Sequence, residues 1–181
     1  GKIGDVYMNE LEELTCALEV NKAVYDAVRE NLKVGVSEQD IYELTKTVVD
    51  KMLPDVSHEF IGDFVGGKRC GLIGGDATDY KLADGDGFIL DLSVRCGNTW
   101  SDTCRTFFLG EPTAEIKKAY NTVLKLLSFG ATLVKPEICA EKGKIDAENM
   151  LKDMGYGGMM PHHMGHLIGA KPYMTPAFDR S

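Results

Sequence analysis

The stretch from Phe88 to Phe108, FILDLSVRCGNTWSDTCRTFF, constrains the chain most. β-Favouring residues flank a short polar centre: Phe88, Ile89, Leu90, Leu92 and Val94 before it, Thr103, Thr106, Phe107 and Phe108 after it. This pattern predicts two strands joined by a tight turn at Arg95-Cys96-Gly97-Asn98. Partners in an antiparallel hairpin have position numbers of constant sum. With the turn centred on Cys96-Gly97 that sum is 193, and Asp91 and Asp102 satisfy it. The two carboxylates would then be direct cross-strand neighbours, with Cβ atoms roughly 4.5–5.5 Å apart. Carboxylates that close repel unless a proton or a cation lies between them. A divalent metal, or a pair of metals, answers that need. Two other arrangements stay open on spacing alone: both aspartates face solvent, or one caps a turn. Register decides the face, so a slip of one residue would break the pairing. The apolar run around Asp91, FILDLSV, argues against a plain solvent face.

A formal net charge of −8 disfavours nucleic acid or an anionic membrane as the main partner. No run of about 18 apolar residues occurs, so no membrane span is expected. The first ten residues, GKIGDVYMNE, lack the basic-then-apolar pattern of a secretory leader. Cysteines at 16, 70, 96, 104 and 139 are odd in number and show no CxxC spacing. That fits reduced thiols in the cytoplasm better than a disulfide framework or a zinc knuckle.

Four helices are predicted around the hairpin. The first runs from an Asn9 N-cap to about Leu32, with Leu11, Leu14, Leu18, Val24, Tyr25, Val28 and Leu32 as its apolar face. The second opens at Ser37, presents Ile41, Leu44, Val48 and Met52, and stops at Pro54. Phe60 to Val65 reads as a strand within a glycine-rich stretch that has no GxxxxGK[ST] phosphate loop. The third helix starts at a Thr113 cap, buries Ile116, Tyr120, Val123, Leu124 and Leu127, and closes at Gly130. The fourth spans Lys144 to Met154, with Ala147, Met150, Leu151 and Met154 inward and Gly155 as its C′ residue. Amphipathic helices beside strands make an α+β chain, helices covering a sheet.

Three of the four histidines fall in five residues, His162, His163 and His166, within GGMMPHHMGHLIG. Pro161 and Gly165 argue against a helix, so an extended segment is expected. His162, Met164 and His166 would share one face and His163 the other. Histidines so clustered are candidates for metal binding or acid–base work, or are partly exposed residues near a turn. The HExxH of helix-borne zinc proteases is absent.

Taken together, LDLSVRCGNTWSDTCRTF and Gly165-His166-Leu167-Ile168-Gly169 resemble the metal-binding blocks of the pita-bread metallopeptidases. That family includes methionine aminopeptidase, Xaa-Pro aminopeptidase, prolidase and creatinase. Ile145-Asp146, Met154 to Gly157, Trp100 to Thr103 and Arg105 to Phe107 extend the similarity, most closely toward the Xaa-Pro aminopeptidase/dipeptidase branch. The resemblance implies the pita-bread fold, a curved antiparallel sheet covered by helices. It implies a site with two divalent metals (manganese, cobalt or zinc), held by two aspartates, one histidine and two glutamates. Asp91, Asp102 and His166 carry over as ligands. Both glutamates would lie on strands beyond Ser181, so residues 1–181 read as a catalytic domain missing its last strands. With three of five ligands, metal affinity would be poor and the site of this chain could stand empty.

Two positions depart from the family pattern. Seventeen residues before Asp91, where the family has a histidine, stands Gly74; seven after His166, where it has another, stands Tyr173. His162 does match a third family histidine, one that orients substrate or stabilises an oxyanion. Tyr173 can donate a hydrogen bond in place of a histidine but cannot shuttle protons at pH 7, since tyrosine titrates near 10. His162 and Tyr173 are thus the expected catalytic residues. The implied activity is metal-dependent hydrolysis at Xaa-Pro-like bonds, one missing glutamate being the general base. Two alternatives stand beside it: a pseudoenzyme or peptide-binding module on the same fold, and a creatinase-like C–N hydrolase. A peptide is the expected partner, with a homodimer left open.

Overall fold

The computed structural model describes residues 2–3, 6–71, 74–160 and 163–177. The chain divides into two compact units, residues 1–112 with 168–172 and residues 113–167 with 173–181. In chain order the elements are β1 (Lys2–Ile3), β2 (Val6–Tyr7), α1 (Glu10–Asn31), α2 (Glu38–Met52), β3 (His58–Gly66), a 3-10 turn over Gly67–Gly71, β4 (Gly87–Cys96), β5 (Thr99–Trp100), β6 (Thr103–Phe108), α3 (Ala114–Leu133), α4 (Ala140–Asp153), β7 (His166–Leu167) and β8 (Met174–Ala177).

The first unit is an antiparallel sheet under two helices. β4 is central, with β3 on one side and β5 then β6 on the other. Alternation along β4 sorts its two faces: Phe88, Leu90, Leu92, Val94 and Cys96 have no exposed surface. They pack with Phe64 of β3, Ala17, Val20, Val24 and Val28 of α1, and Ile41 and Val49 of α2. Residues between them, Ile89, Asp91, Ser93 and Arg95, belong to the opposite face. Both helices start at capping boxes. In α1, Asn9 Oδ1 accepts from the Glu12 N–H at 3.0 Å and Glu12 accepts from the Asn9 N–H at 2.8 Å. In α2, Ser37 and Asp40 do the same at 3.0 and 2.9 Å.

The predicted apolar faces hold in part: Val24, Tyr25, Val28 and Ile41 are buried, and Leu32, Leu44 and Val48 pack against the core. Leu11 and Leu18 are exposed, while Glu13 and Asn21 are buried. The reason is polar: α1 turns toward the hairpin the residues that bond its backbone. Asn21 Nδ2 donates to the Leu92 carbonyl at 3.1 Å, and Glu13 accepts from the Asn98 N–H at 3.2 Å and the Thr99 hydroxyl at 2.7 Å. In α2, Met52 is exposed and Thr45 is buried, its hydroxyl satisfied by the Ile41 carbonyl at 2.9 Å.

A buried carboxylate ties the start of α2 to the loop between β3 and β4. Glu38 is fully buried and accepts from the Gly66 N–H at 2.8 Å, the Thr78 N–H at 2.9 Å and the Thr78 hydroxyl at 2.6 Å. It is also ion-paired with Arg69.

In the second unit, the Thr113 hydroxyl caps α3 by accepting from the Ile116 N–H at 3.3 Å. α3 runs through Gly130 to Leu133, and α4 begins at Ala140, four residues before its predicted start. Gly155 follows α4 at φ 88°, the left-handed position expected of it. Ala147 and Leu151 are buried as expected. The α3 stripe differs from prediction: Ile116, Tyr120, Val123, Leu124 and Leu127 are exposed, and Thr122 is its buried residue among those described. Val123 and Leu127 instead line a cavity with Met160, His163 and Met164.

Replacing Glu38 by alanine leaves Arg69 without its buried counter-ion and the Gly66 and Thr78 N–H groups without an acceptor. Arg69 keeps a quarter of its side chain in water, so the loss is expected at the low end of the usual range, about 3 kcal/mol in urea denaturation. A loss below about 1 kcal/mol would contradict the clamp.

Candidate metal centre on the hairpin

The hairpin register corrects the predicted pairing. β4 pairs with β6 so that Asp91 faces Cys104 and Leu92 faces Thr103; beyond it, Cys96 faces Thr99. The constant sum is 195, not 193, and the two-residue loop is Gly97-Asn98. Gly97, at φ 64°, takes the first central position, where glycine alone is unstrained. Moving the turn by one residue moves every pairing by two, so the face survives but the partner changes. Asp102, one residue before β6, is no longer the direct partner of Asp91.

Asp102 is held by what precedes it. Between β5 and β6 the chain leaves the ladder at Ser101, which is fully buried. The Ser101 N–H donates to the Val94 carbonyl at 2.8 Å, and the Ser101 hydroxyl accepts from the Val94 N–H at 3.0 Å. The same hydroxyl donates to Asn21 Oδ1 at 3.1 Å. Thr103, on the other side, accepts from Asn21 Nδ2 at 2.5 Å and meets the Tyr25 hydroxyl at 2.8 Å. Burial raises the Tyr25 phenol well above its ordinary range, so it stays a neutral hydrogen-bonding anchor.

A third carboxylate lies on the same face. Asp63 of β3 is the direct cross-strand partner of Asp91, so Asp63, Asp91 and Cys104 form one row across three strands. Asp63 Oδ2 accepts from the Gly74 N–H at 2.9 Å. Crowding of the sulfur by protein atoms pushes the Cys104 thiol up to about 12. The charges of Asp91, Asp102 and Asp63 push the same way, and Arg105 opposes them. Cys104 still reaches solvent, so the carboxylate field is the part of that shift that describes the face.

The second unit holds the histidine segment. His163, His166 and Tyr173 pack ring against ring: His166 to Tyr173 at 4.6 Å, His163 to Tyr173 and His163 to His166 each at 5.2 Å. His163 therefore meets His166, against the expectation of opposite faces, because the chain bends at Met164-Gly165 before β7 begins. His162 lies outside the described residues. The Leu167 carbonyl can only accept, so His166 Nδ1 donates to it at 2.9 Å. In the neutral ring Nε2 is then the lone-pair nitrogen, the tautomer a metal ligand needs. Tyr173 is about half exposed. Among the described residues no three His, Cys, Asp or Glu side chains converge as a metal cage. The donor chemistry nonetheless fits a divalent cation: hard carboxylates on a strongly negative face, and a histidine in the ligating tautomer.

The sequence model of metallopeptidase family M24 matches residues 12–180. The chain belongs to metallopeptidase family M24. It is 27% identical over 172 residues to the Xaa-Pro dipeptidase of Pyrococcus furiosus, covering 94% of this chain and 49% of that one. A Xaa-Pro dipeptidase of Pyrococcus horikoshii is 28% identical over 168 residues, covering 92% and 47%. The solved prolidase from Pyrococcus furiosus superimposes with a TM-score of 0.86 at 24% identity, over 94% of this chain and 50% of that one. At that identity the likeness shows the fold, which is the pita-bread fold. This M24 chain spans about half the length of the curated relatives it matches. No helix among the described residues is long and apolar enough to cross a membrane.

Sequence reasoning missed Asp63, Ser101 and Asn21 in this M24 site. Asp63 carried a signal, a lone carboxylate in the strand FIGDFV, but its meaning depends on pairing with β4. Close backbone approach supports that pairing: a Cβ on Gly62 would lie 2.5 Å from the Asp91 carbonyl oxygen. Gly62→Ala is therefore expected to destabilise the protein by about 1–3 kcal/mol in denaturant titration. An unchanged midpoint would contradict the register.

Proposed function

We propose that this M24 chain is part of the catalytic domain of a metal-dependent peptidase that removes an N-terminal residue at Xaa-Pro-like bonds. The observation that carries the reading is the pair Asp91, on the face of β4 away from the helices, and Asp102, just before β6, whose charges both act on Cys104. The names of the curated relatives support the substrate class. Asp91, Asp102 and His166 would hold the divalent metal ions, manganese, cobalt or zinc. When bound, such ions lower the pKa of a coordinated water toward neutrality and polarise a carbonyl.

The rest falls to side chains of this chain. Ser101 and Asn21 hold the strand crossing that presents Asp102, and the Gly97 turn sets its spacing from Asp91. His166 Nδ1 spends its proton on the Leu167 carbonyl and so keeps the ligating nitrogen on the other side of the ring. The Tyr173 hydroxyl donates a hydrogen bond to the substrate, its ring held against His166. His162 orients the substrate carbonyl. The described cysteines are all free thiols, which supports a reducing compartment such as the cytoplasm.

A second reading, a peptide-binding module without turnover, is favoured by one observation. Gly74 presents no side chain, and Tyr173 a phenol, where the family pattern has histidines. The two readings separate in one experiment. The full-length protein, loaded in turn with manganese, cobalt and zinc, is assayed on a panel of Xaa-Pro dipeptides. Release of the first residue is expected, with loss on chelation. Asp91→Asn and Asp102→Asn should each lower kcat/KM by more than about 100-fold, beyond the 10–100-fold typical of outer-shell residues. Binding without turnover under every metal would establish the second reading instead.

A further inference from the structure

We infer that Cys16 and Cys96 form an oxidisable pair, a modification site at which a peroxide joins α1 to the far end of the hairpin through a reversible disulfide. The inference stands apart from the peptidase reading and holds whether or not the protein turns over a substrate.

The fold brings the two sulfurs together. Cys96 ends β4 and faces Thr99 directly across the turn. The Thr99 hydroxyl donates to Glu13 of α1 at 2.7 Å, and the Asn98 N–H donates to the same carboxylate at 3.2 Å. Cys16 lies three residues after Glu13, one turn further along the same helix face. Cys96 has no exposed surface and is part of the core, and Cys16 packs against that core. Cα atoms of α1 come within 8 Å of those of β4 and of β5, against the roughly 4.4–6.8 Å that a disulfide spans. The two side chains are hydrogen-bonded, thiol to thiol. Both are free thiols, so this contact is that of a reduced pair.

The sulfurs differ in access, and the difference sets the order of events. Cys16 is half-buried and open to a small solute. Burial, and the Cys16 thiol beside it, push the Cys96 thiol up to about 12, so Cys96 stays protonated and shielded. Cys16 therefore meets the peroxide first. Its sulfur attacks one peroxide oxygen, the O–O bond breaks, and one water leaves; Cys16 becomes a sulfenic acid. The Cys96 sulfur then attacks the Cys16 sulfur. The S–O bond breaks, and the departing hydroxide takes the Cys96 proton and leaves as a second water. Two thiols are oxidised to one disulfide and one peroxide is reduced to two waters. Cys104 does not compete for Cys96, because it faces Asp91 on the other side of the sheet. Cys70 is engaged elsewhere, with its thiol against the Val65 and Gly87 carbonyls at 3.4 Å each. The disulfide adds a covalent tie where Glu13 alone holds Asn98 and Thr99.

The test treats the full-length protein with hydrogen peroxide, blocks remaining thiols and maps disulfides by mass spectrometry of a non-reducing digest. A Cys16–Cys96 linked peptide is expected, lost on treatment with dithiothreitol. In Cys96→Ala the sulfenic acid has no partner, and dimedone should label Cys16. Hydrogen–deuterium exchange of the peptide covering residues 97–100 should slow on oxidation of the wild type and stay unchanged in Cys16→Ala. The mapping on wild type needs no variant to fold. Absence of the linked peptide while peroxide oxidises other cysteines overturns the inference. So does dimedone labelling that spares Cys16 in Cys96→Ala. Unslowed exchange at 97–100 in the linked protein overturns the tie to the hairpin.

Discussion

The structure depends on how α1 holds the far end of the hairpin. Hydrophobic burial alone would let β4 slide against the helix, because Phe88, Leu90, Leu92 and Val94 repeat every second residue. Asn21 removes that freedom. Its amide bonds the Leu92 carbonyl of β4, the Thr103 hydroxyl of β6 and the Ser101 hydroxyl just before β6. Each such bond contributes on the order of 1 kcal/mol, but leaving a buried amide unsatisfied costs about 1–3 kcal/mol, and this asymmetry fixes the register. Once Leu92 faces Thr103, Asp91 must face away from the helices and Asp102 must follow Ser101 out of the ladder.

That geometry concentrates negative charge on one surface. The buried face of β4 is apolar and makes the core; the other face takes Asp63 and Asp91 from adjacent strands with Asp102 beside them. In the proposed function Asp91 and Asp102 are the metal ligands.

Local chemistry was legible in the sequence, and nonlocal geometry was only partly so. Asn9, Ser37 and Thr113 announce helix starts through side-chain bonds a few residues away, and each caps the helix it was expected to cap. The two blocks that resemble the metallopeptidases lead to the right family and fold. The register was misread because it depends on one backbone angle, the positive φ of Gly97, which composition does not reveal. The first half of the α1 face was misjudged because Glu13 and Asn21 look like solvent residues until the hairpin they bond is in place, while Val24, Tyr25 and Val28 are buried as read. Asp63 was invisible because its partner lies 28 residues ahead in sequence. The His163–His166 contact required a bend at Met164-Gly165 that an extended reading excludes.

The most direct test of the account is anomalous X-ray diffraction from crystals of the full-length protein grown with manganese. The account predicts an anomalous peak between the Asp91 and Asp102 carboxylates. A fully ordered hairpin with no anomalous density at Asp91 and Asp102 would contradict it.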